Sequence, residues 1–530
     1  MRKCSSFLLL LSSVGAAFCQ VSVLTNRYDN LRTGANSKET VLNTSNVKVA
    51  TFGKLWSYAV DGSIFAQPLY VPDVPVPGRG THNVLYVCTM NDTVYAFDAD
   101  SPNTLWSVNF TNPGAGIIPV PIASITGFTN KNITGIVGIE STPVIDASTG
   151  TLYLVARTME GPNYVQRLHA LDITTGAEKF GGPVVIQGSV PGNGSGSAGG
   201  TLPFDPRLSN QRPGLALANN KVIIEWAGHE EIVPWHGWVM AYDKSTLAQA
   251  GIYCTTPNGL AGGIWNGGRA PVVDASGNLY CLTGNGTTGQ GKSLGESALR
   301  ISTKNGLNLA DYFVASDFDS LNAGDVDLGS GGLMMIPGAG KLIGGGKEGI
   351  LYLLNPANMG HFASNDAQIP QKISATTGQI KPGPAYWRSA SLGQLIYLWG
   401  EGDYLKAWHF NGSTVDLPNV MASSFPAPPG APGATLTVSA NGDTDGTGIV
   451  WASMSVALDA DQGVVPGMLR ALNASNPGQE LWNSLQNQAR DDTGTLAKFV
   501  PPVVVNGKVY MASWTDYTYT NYLNVYGLLP

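Results

Sequence analysis

One unit recurs along nearly the whole chain, and it constrains the fold more than any other feature. A short apolar strand, a tight polar turn, a second apolar strand, a hairpin and a third strand ending in Asp or Asn follow one another repeatedly. PVIDASTGTLYLV (143–155), PVVDASGNLYCL (271–282) and PVVVNGKVYM (502–511) carry the first two strands, with looser copies at 215–224, 334–343 and 391–398. In the last full copy Asn506 and Gly507 supply a turn that tolerates positive φ. The third strands read VYAFDA (94–99), LHALDI (168–173), VMAYDK (239–244), ILYLLN (350–355) and LRALNA (469–474).

The third strands end at Asp98, Asp172, Asp243, Ser302, Asn355, Asn411, Asn473 and Gly527. Each step exceeds the roughly 40–50 residues of a bare four-stranded propeller blade, so the surplus is loop. The last copy stops at Pro530 without an outer strand, whereas FGKLWSYAV (52–60) has an outer-strand pattern and no blade of its own. Pairing the two ends closes a ring and removes the open edges. The expectation is an all-β chain forming a single closed β-propeller of about eight four-stranded blades, seven being the alternative count. Residues 20–50 then form an N-terminal extension and 51–530 the propeller. Composition agrees: 66 Gly and 33 Pro furnish turns, and 43% hydrophobic residues with 12 Trp and 20 Tyr furnish a core. The Gly/Ser-rich stretch 187–205 and the Pro-rich stretch 416–434 read as long connections of the ring rather than interdomain linkers.

Arg2 and Lys3 precede an apolar run from Phe7 to about Ala17, too short to span a bilayer. This predicts a signal peptide over 1–19 and a secreted or periplasmic product, with no membrane span. Phe18 is bulky where lipoprotein processing at Cys19 wants a small residue. The mature chain keeps Cys88, Cys254 and Cys281, enough for one disulfide with one thiol left over. No CxxC or CxxCH occurs, so neither a structural zinc nor covalent haem is signalled. The net charge of −7 comes without a basic run, which argues against nucleic acid as a partner. A monomer is expected.

The third strand of these copies ends in Asp or Asn, and a polar turn leads into the outer strand, with Asp-x-x-Thr-Gly at Asp172–Gly176 and a Trp at Trp106 and Trp482. FDADSPNTLW (97–106), LDITTGAEKF (171–180) and LNASNPGQELW (472–482) have that shape. It resembles the pyrroloquinoline-quinone (PQQ) repeat of the quinoprotein alcohol dehydrogenase-like propellers. RYDNLRTGAN (27–36), FAQPLYVPDV (65–74), HGWVMAYD (236–243), GGIWNGG (262–268), LTGNGT (282–287), ADYF (310–313) and GGGKEG (344–349) make the whole chain similar to a family of exported PQQ-like propellers. The resemblance is specific for fold. Function is a separate question, because propellers are scaffolds for grafted sites.

In a propeller, the connection into each inner strand and the hairpin between second and third strands emerge on one face around the channel. The connections bring Gln67, Glu140, Arg212, Trp265 with Arg269, Asp325 with Asp327, Tyr386 with Arg388, Asn441, and Arg490 with Asp491 and Lys498. The hairpins bring Asn91, Asp92, His229 to His236, Asn285, Lys347 with Glu348, and Glu401 with Asp403. With only 13% of residues charged, such a gathering is the default ligand site. Trp265, Arg269, Asn285 and Lys347 are the candidate cofactor contacts, Glu140 and Asp327 the candidate catalytic acids, and His229, Glu231 and His236 the candidate metal ligands. Each also has a structural reading. Asn285 and Glu348 sit beside Gly in turns, the His229–His236 loop is equally a hydrogen-bonded loop, and Trp265 either faces a planar ligand or fills the channel.

Two functions follow as expectations. One is an exported binding propeller that holds a small polar ligand, a glycan or a protein partner at the channel face. The other, implied by the resemblance, is a PQQ- and Ca²⁺-dependent oxidoreductase acting on an alcohol or sugar. The dehydrogenase branch roofs its cofactor with a disulfide between adjacent cysteines, and no adjacent pair exists here.

Overall fold

Asn506 and Gly507 adopt φ of 50° and 76°, and the turn they make sets Val503–Val505 against Lys508–Ala512 in antiparallel register. The same local arrangement, repeated, builds the molecule. The computed structural model describes residues 21–127, 132–289, 292–430, 432–514 and 520–530. The expected leader, 1–19, lies outside the described residues. Eight four-stranded blades stand in a ring, some with an extra strand at an edge. The first comprises Leu69–Val76, Gly80–Cys88, Thr93–Asp98 and Thr104–Asn109.

The ends close the ring as the sequence predicts. Phe52–Val60 pairs antiparallel with Asn521–Leu528 as the outer strand of the eighth blade, from Phe52 opposite Leu528 to Val60 opposite Asn521. Phe52 locks this seam to the seventh blade, its ring 5.4 Å from that of Trp451 and 5.0 Å from that of Trp482. Elsewhere too the core lies between blades, since each sheet buries both faces: Tyr153 and Leu168 of the second blade pack with Trp226 and Trp238 of the third. The stretch 187–205 forms a small hairpin, Ser189–Pro191 with Thr201–Pro203, and 416–434 supplies the sixth blade's outer strand, Met421–Pro426. Cys88, Cys254 and Cys281 are all buried and free, so no disulfide forms among them. No helix among the described residues is long and apolar enough to cross a membrane.

One feature was not legible in the repeats. Residues 23–34 thread the central channel and hydrogen-bond to the inner strands of seven blades. Val23 exchanges backbone bonds with Tyr70 (2.8 and 2.9 Å), and the carbonyls of Leu24, Asn30, Leu31, Thr33 and Gly34 accept from Ile145, Val273, Met335, Tyr386 and Val438 at 2.8–2.9 Å. The Tyr28 hydroxyl accepts from the Val504 amide at 2.6 Å, which reaches the eighth blade. Inner-strand amides that would otherwise face a wet channel are thus satisfied by the plug.

Candidate functional site

Above the plug lies a cavity of about 730 Å³. Eight of the expected channel-face residues line it: Arg212, His229, Glu230, Glu231, Trp265, Asp325, Asp327 and Lys347. The turn 265–268 carries half-buried Trp265 on its rim, where the ring meets Trp235 edge-on at 6.3 Å.

One wall is an acid cluster bridged by a lysine. Lys347 Nζ lies 2.7 Å from Asp327 Oδ2 and 3.1 Å from Asp325 Oδ1. Burial alone would lower this ammonium, but the two aspartates hold it above its ordinary range. Asn285 Nδ2 donates to Asp325 Oδ1 at 2.6 Å and to Glu231 Oε1 at 3.0 Å, and its amide donates to Asp327 Oδ1 at 2.9 Å. Gly284 permits that approach, because a Cβ there would fall 2.1 Å from Asp327 Oδ1. Burial, with Asp325 and Asp327 adding repulsion, raises Glu231. Behind them Glu296 is pushed up to about 9, by burial and then by Asp327 against the opposing Leu328 amide. It is therefore a neutral acid at pH 7.

Elsewhere in the lining, cations are paired with acids. Arg212 donates to Glu140 Oε1 at 3.0 Å and lies over the Phe499 ring at 4.3 Å. Burial raises Glu140 despite Arg212 and Arg157, and its Oε2 is buried with no partner among the described residues. Lys381 pairs with Asp461 and, at 3.3 Å, with Glu401. Lys498 is brought down to about 7 by burial and by Arg212 and Lys381, and it donates to the Asn132 carbonyl at 2.9 Å.

Several expectations are corrected here. The structure does not bring His229, Glu231 and His236 together. His229 Nε2 faces Arg157, which can only donate, so that nitrogen is an acceptor, and burial with Arg157 and Arg212 holds the ring neutral. His236 turns away from the cavity, with its ring nitrogens 2.9 Å from Thr256 Oγ1 and 2.8 Å from the Ser195 carbonyl. Among the described residues no three His, Cys, Asp or Glu side chains are grouped to hold a metal ion. Arg269 points below the floor and donates to the carbonyls of Arg32 and Pro384, so it does not reach the cavity. Tyr386 and Arg388 lie within an inner strand rather than before it, and with Asp443 they border a separate 510 Å³ cavity beside the plug residues Asp29 and Thr33. Asn441 follows its inner strand and bridges to Lys38. Asp491 receives the Lys54 amide at 2.9 Å on the outermost strand, far from the channel. Asn285 and Glu140 stand one contact behind the cavity surface, through Asp325 and Arg212.

Lys381, Asp461, Asn210 and Phe499 also line the cavity and were not anticipated. The signal for Lys381 was its place immediately before Pro-Gly-Pro and the sixth inner strand, Ala385–Ser389. Asp461 sits in a long hairpin of the seventh blade that carries no repeat signature.

Neither a protein-family model nor a curated protein matches the chain. Solved structures do. Quinohemoprotein alcohol dehydrogenase from Comamonas testosteroni aligns over 96% of this chain and 80% of its own, with 15% identity and a TM-score of 0.59. Quinohemoprotein alcohol dehydrogenase ADHIIG from Pseudomonas putida HK5 gives 13%, the same coverages and 0.62. A europium-containing methanol dehydrogenase gives 13% identity and 0.57 over 96% of this chain and 98% of that one. This chain shares their propeller fold.

That likeness makes the fit of a quinone and its metal a question for this donor set. A planar, carboxylate-bearing ring matches an aromatic rim with Arg212, Lys347 and Lys381 around it. A divalent metal between Asp325 and Asp327 does not fit, because the Lys347 ammonium already bridges the pair. Among the described residues no cysteine pair roofs the site, since Cys88, Cys254 and Cys281 are buried and free.

Proposed function

We propose that this chain is a binding propeller whose plugged cavity takes a small, polar, hydroxyl-rich ligand of saccharide type. The carrying observation is the pairing of Trp265 on the rim with walls whose charges are mutually compensated. Arg212 is matched by Glu140, Lys347 by Asp325 and Asp327, and Lys381 by Glu401 and Asp461. Such walls offer many donors and acceptors without a strong net field, which suits a neutral polyol, and an aromatic face suits the apolar side of a sugar ring. The volume lies within the range of small-molecule sites. Calorimetric titration across a panel of mono- and oligosaccharides tests this. At least one sugar binds, and Trp265→Ala weakens it by about tenfold or more while the melting temperature barely moves; a panel without any binder refutes the reading.

A second reading is an oxidoreductase acting on an alcohol or sugar, and the three dehydrogenase neighbours favour it. On this reading Arg212, Lys347 and Lys381 anchor a planar anionic cofactor beside Trp265. Incubation with PQQ and Ca²⁺, followed by absorption spectroscopy and dye-linked oxidation of an alcohol and sugar panel, separates the two. Absence of both bound cofactor and dye reduction ends the oxidoreductase reading in its PQQ form.

A further inference from the structure

Three arginines gather beneath the cavity floor. Arg27 and Arg32 arrive on the plug and Arg269 on the turn below Trp265, and none is more than 4% exposed. Guanidinium groups stay protonated in proteins, so this is a buried cluster of three positive charges. Burial and then the fields of Arg27 and Arg32 depress Arg269 well below its ordinary range.

The acceptors serving these groups are almost all neutral. Arg32 Nε donates to the Pro271 carbonyl at 2.9 Å, and its Nη1 donates to Thr25 Oγ1 (2.8 Å) and the carbonyls of Asn26 (2.9 Å) and Asp29 (3.0 Å). Arg269 donates only to carbonyls. Arg27 Nε and Nη2 and Arg32 Nη2 are buried with no partner among the described residues. The Arg27 guanidinium lies flat against Gly34, where a Cβ would come within 2.4 Å of Nη2.

Compensating charge is short. Asp29 acts on all three arginines through space but forms no ion pair with any of them among the described residues, and both its oxygens accept from Thr33. Glu225, the other acid acting on Arg32, is pushed up to about 8 by burial and is mostly protonated at neutral pH. Three buried cations thus face about one, half-buried anion, an arrangement that calls for compensating charge.

We infer that the centre of the propeller binds a small inorganic anion of chloride size, held by the unpartnered N–H groups of Arg27 and Arg32, with Arg269 adding charge. The anion offsets the plug's buried charge where Arg269, on the turn that carries Trp265, donates to the Arg32 carbonyl, and so lets plug and turn stay in contact. This site is separate from the ligand cavity and stands whether or not that cavity binds sugar.

The test uses the whole mature chain. Thermal unfolding is followed in sodium gluconate and in sodium chloride at one ionic strength, and crystals are grown in bromide. The midpoint rises with chloride by about 1 °C per tenfold concentration, as mass action on a folded-state site requires for a chain this long. Bromide gives an anomalous peak within hydrogen-bond reach of Arg27 and Arg32. Arg27→Gln abolishes the chloride dependence. If Arg27→Gln does not fold, the wild-type bromide map decides alone. A map without that peak overturns the inference and leaves the donors to water, as does a chloride dependence that survives in Arg27→Gln.

Discussion

Replacing Lys347 by methionine tests the claim that this ammonium occupies the place a divalent metal would need. Methionine keeps the aliphatic volume and removes the charge. Asp327, with 8% of its side chain exposed, then loses a partner at 2.7 Å, whereas Asp325, 62% exposed, stays hydrated. At an effective dielectric of about 20 the Lys347–Asp327 attraction is roughly 6 kcal/mol gross. Desolvation of both groups offsets most of it, so the net loss is about 1–3 kcal/mol, nearly all through Asp327 because exposed pairs contribute little. Urea unfolding should show this loss, and Asp327→Asn in the same chain should recover part of it, with a coupling of about 0.5–3 kcal/mol in the double-mutant cycle. The variant also leaves the Asp325 and Asp327 pair without the cation that bridges it. Millimolar Ca²⁺ should therefore raise the melting temperature of Lys347→Met and leave that of the wild type unchanged. Equal stabilisation of both, or of neither, would refute the reasoning about this cluster.

Glu296 has a folded-state value of about 9 against an ordinary 4.5, so the native state holds a proton that the unfolded chain releases. Its contribution is complete below pH 4.5 and lost as pH rises through 9; Glu296→Gln should flatten the decline in urea midpoint between pH 5 and pH 8.5. Gly34→Ala meets the Arg27 guanidinium at a φ of +66° and should cost about 1–3 kcal/mol by chemical unfolding. Phe52→Ala removes the ring wedged between Trp451 and Trp482 and should cost about 3–5 kcal/mol, with the closing seam the first region to gain amide exchange.

The blades were readable because each rests on local chemistry. PVVVNGKVYM contains its own turn, and alternation of apolar residues declares two strands wherever it occurs. Closure by Phe52–Val60 was readable by subtraction, since an unpartnered outer-strand pattern at one end answered a missing outer strand at the other. Trp265, Arg212, Asp325, Asp327 and Lys347 were readable as channel-face residues because their positions relative to the strands repeat from blade to blade. Lys381 and Asp461 were not, because the sixth inner strand begins at Ala385, and the connection before Tyr386 was placed too late in the chain. His229 and His236 looked like a ligand pair by spacing, yet Arg157 and the Ser195 carbonyl occupy their nitrogens from elsewhere in the chain.

Sequence alone determined the repeat, the turns and the ring, all of which follow from contacts between residues close in the chain or from a pattern that recurs. The tertiary structure decided what lies in the middle. RYDNLRTGAN carries no strand or helix signal, and its conformation, with positive φ at Arg27, Tyr28 and Arg32, is stable only where five inner strands offer amides to its carbonyls and to one hydroxyl. The same holds for charge. A lysine from the hairpin of the fifth blade and two aspartates from the connection that enters it form either a metal site or an internal ion pair, and only their distances in the folded ring distinguish the two.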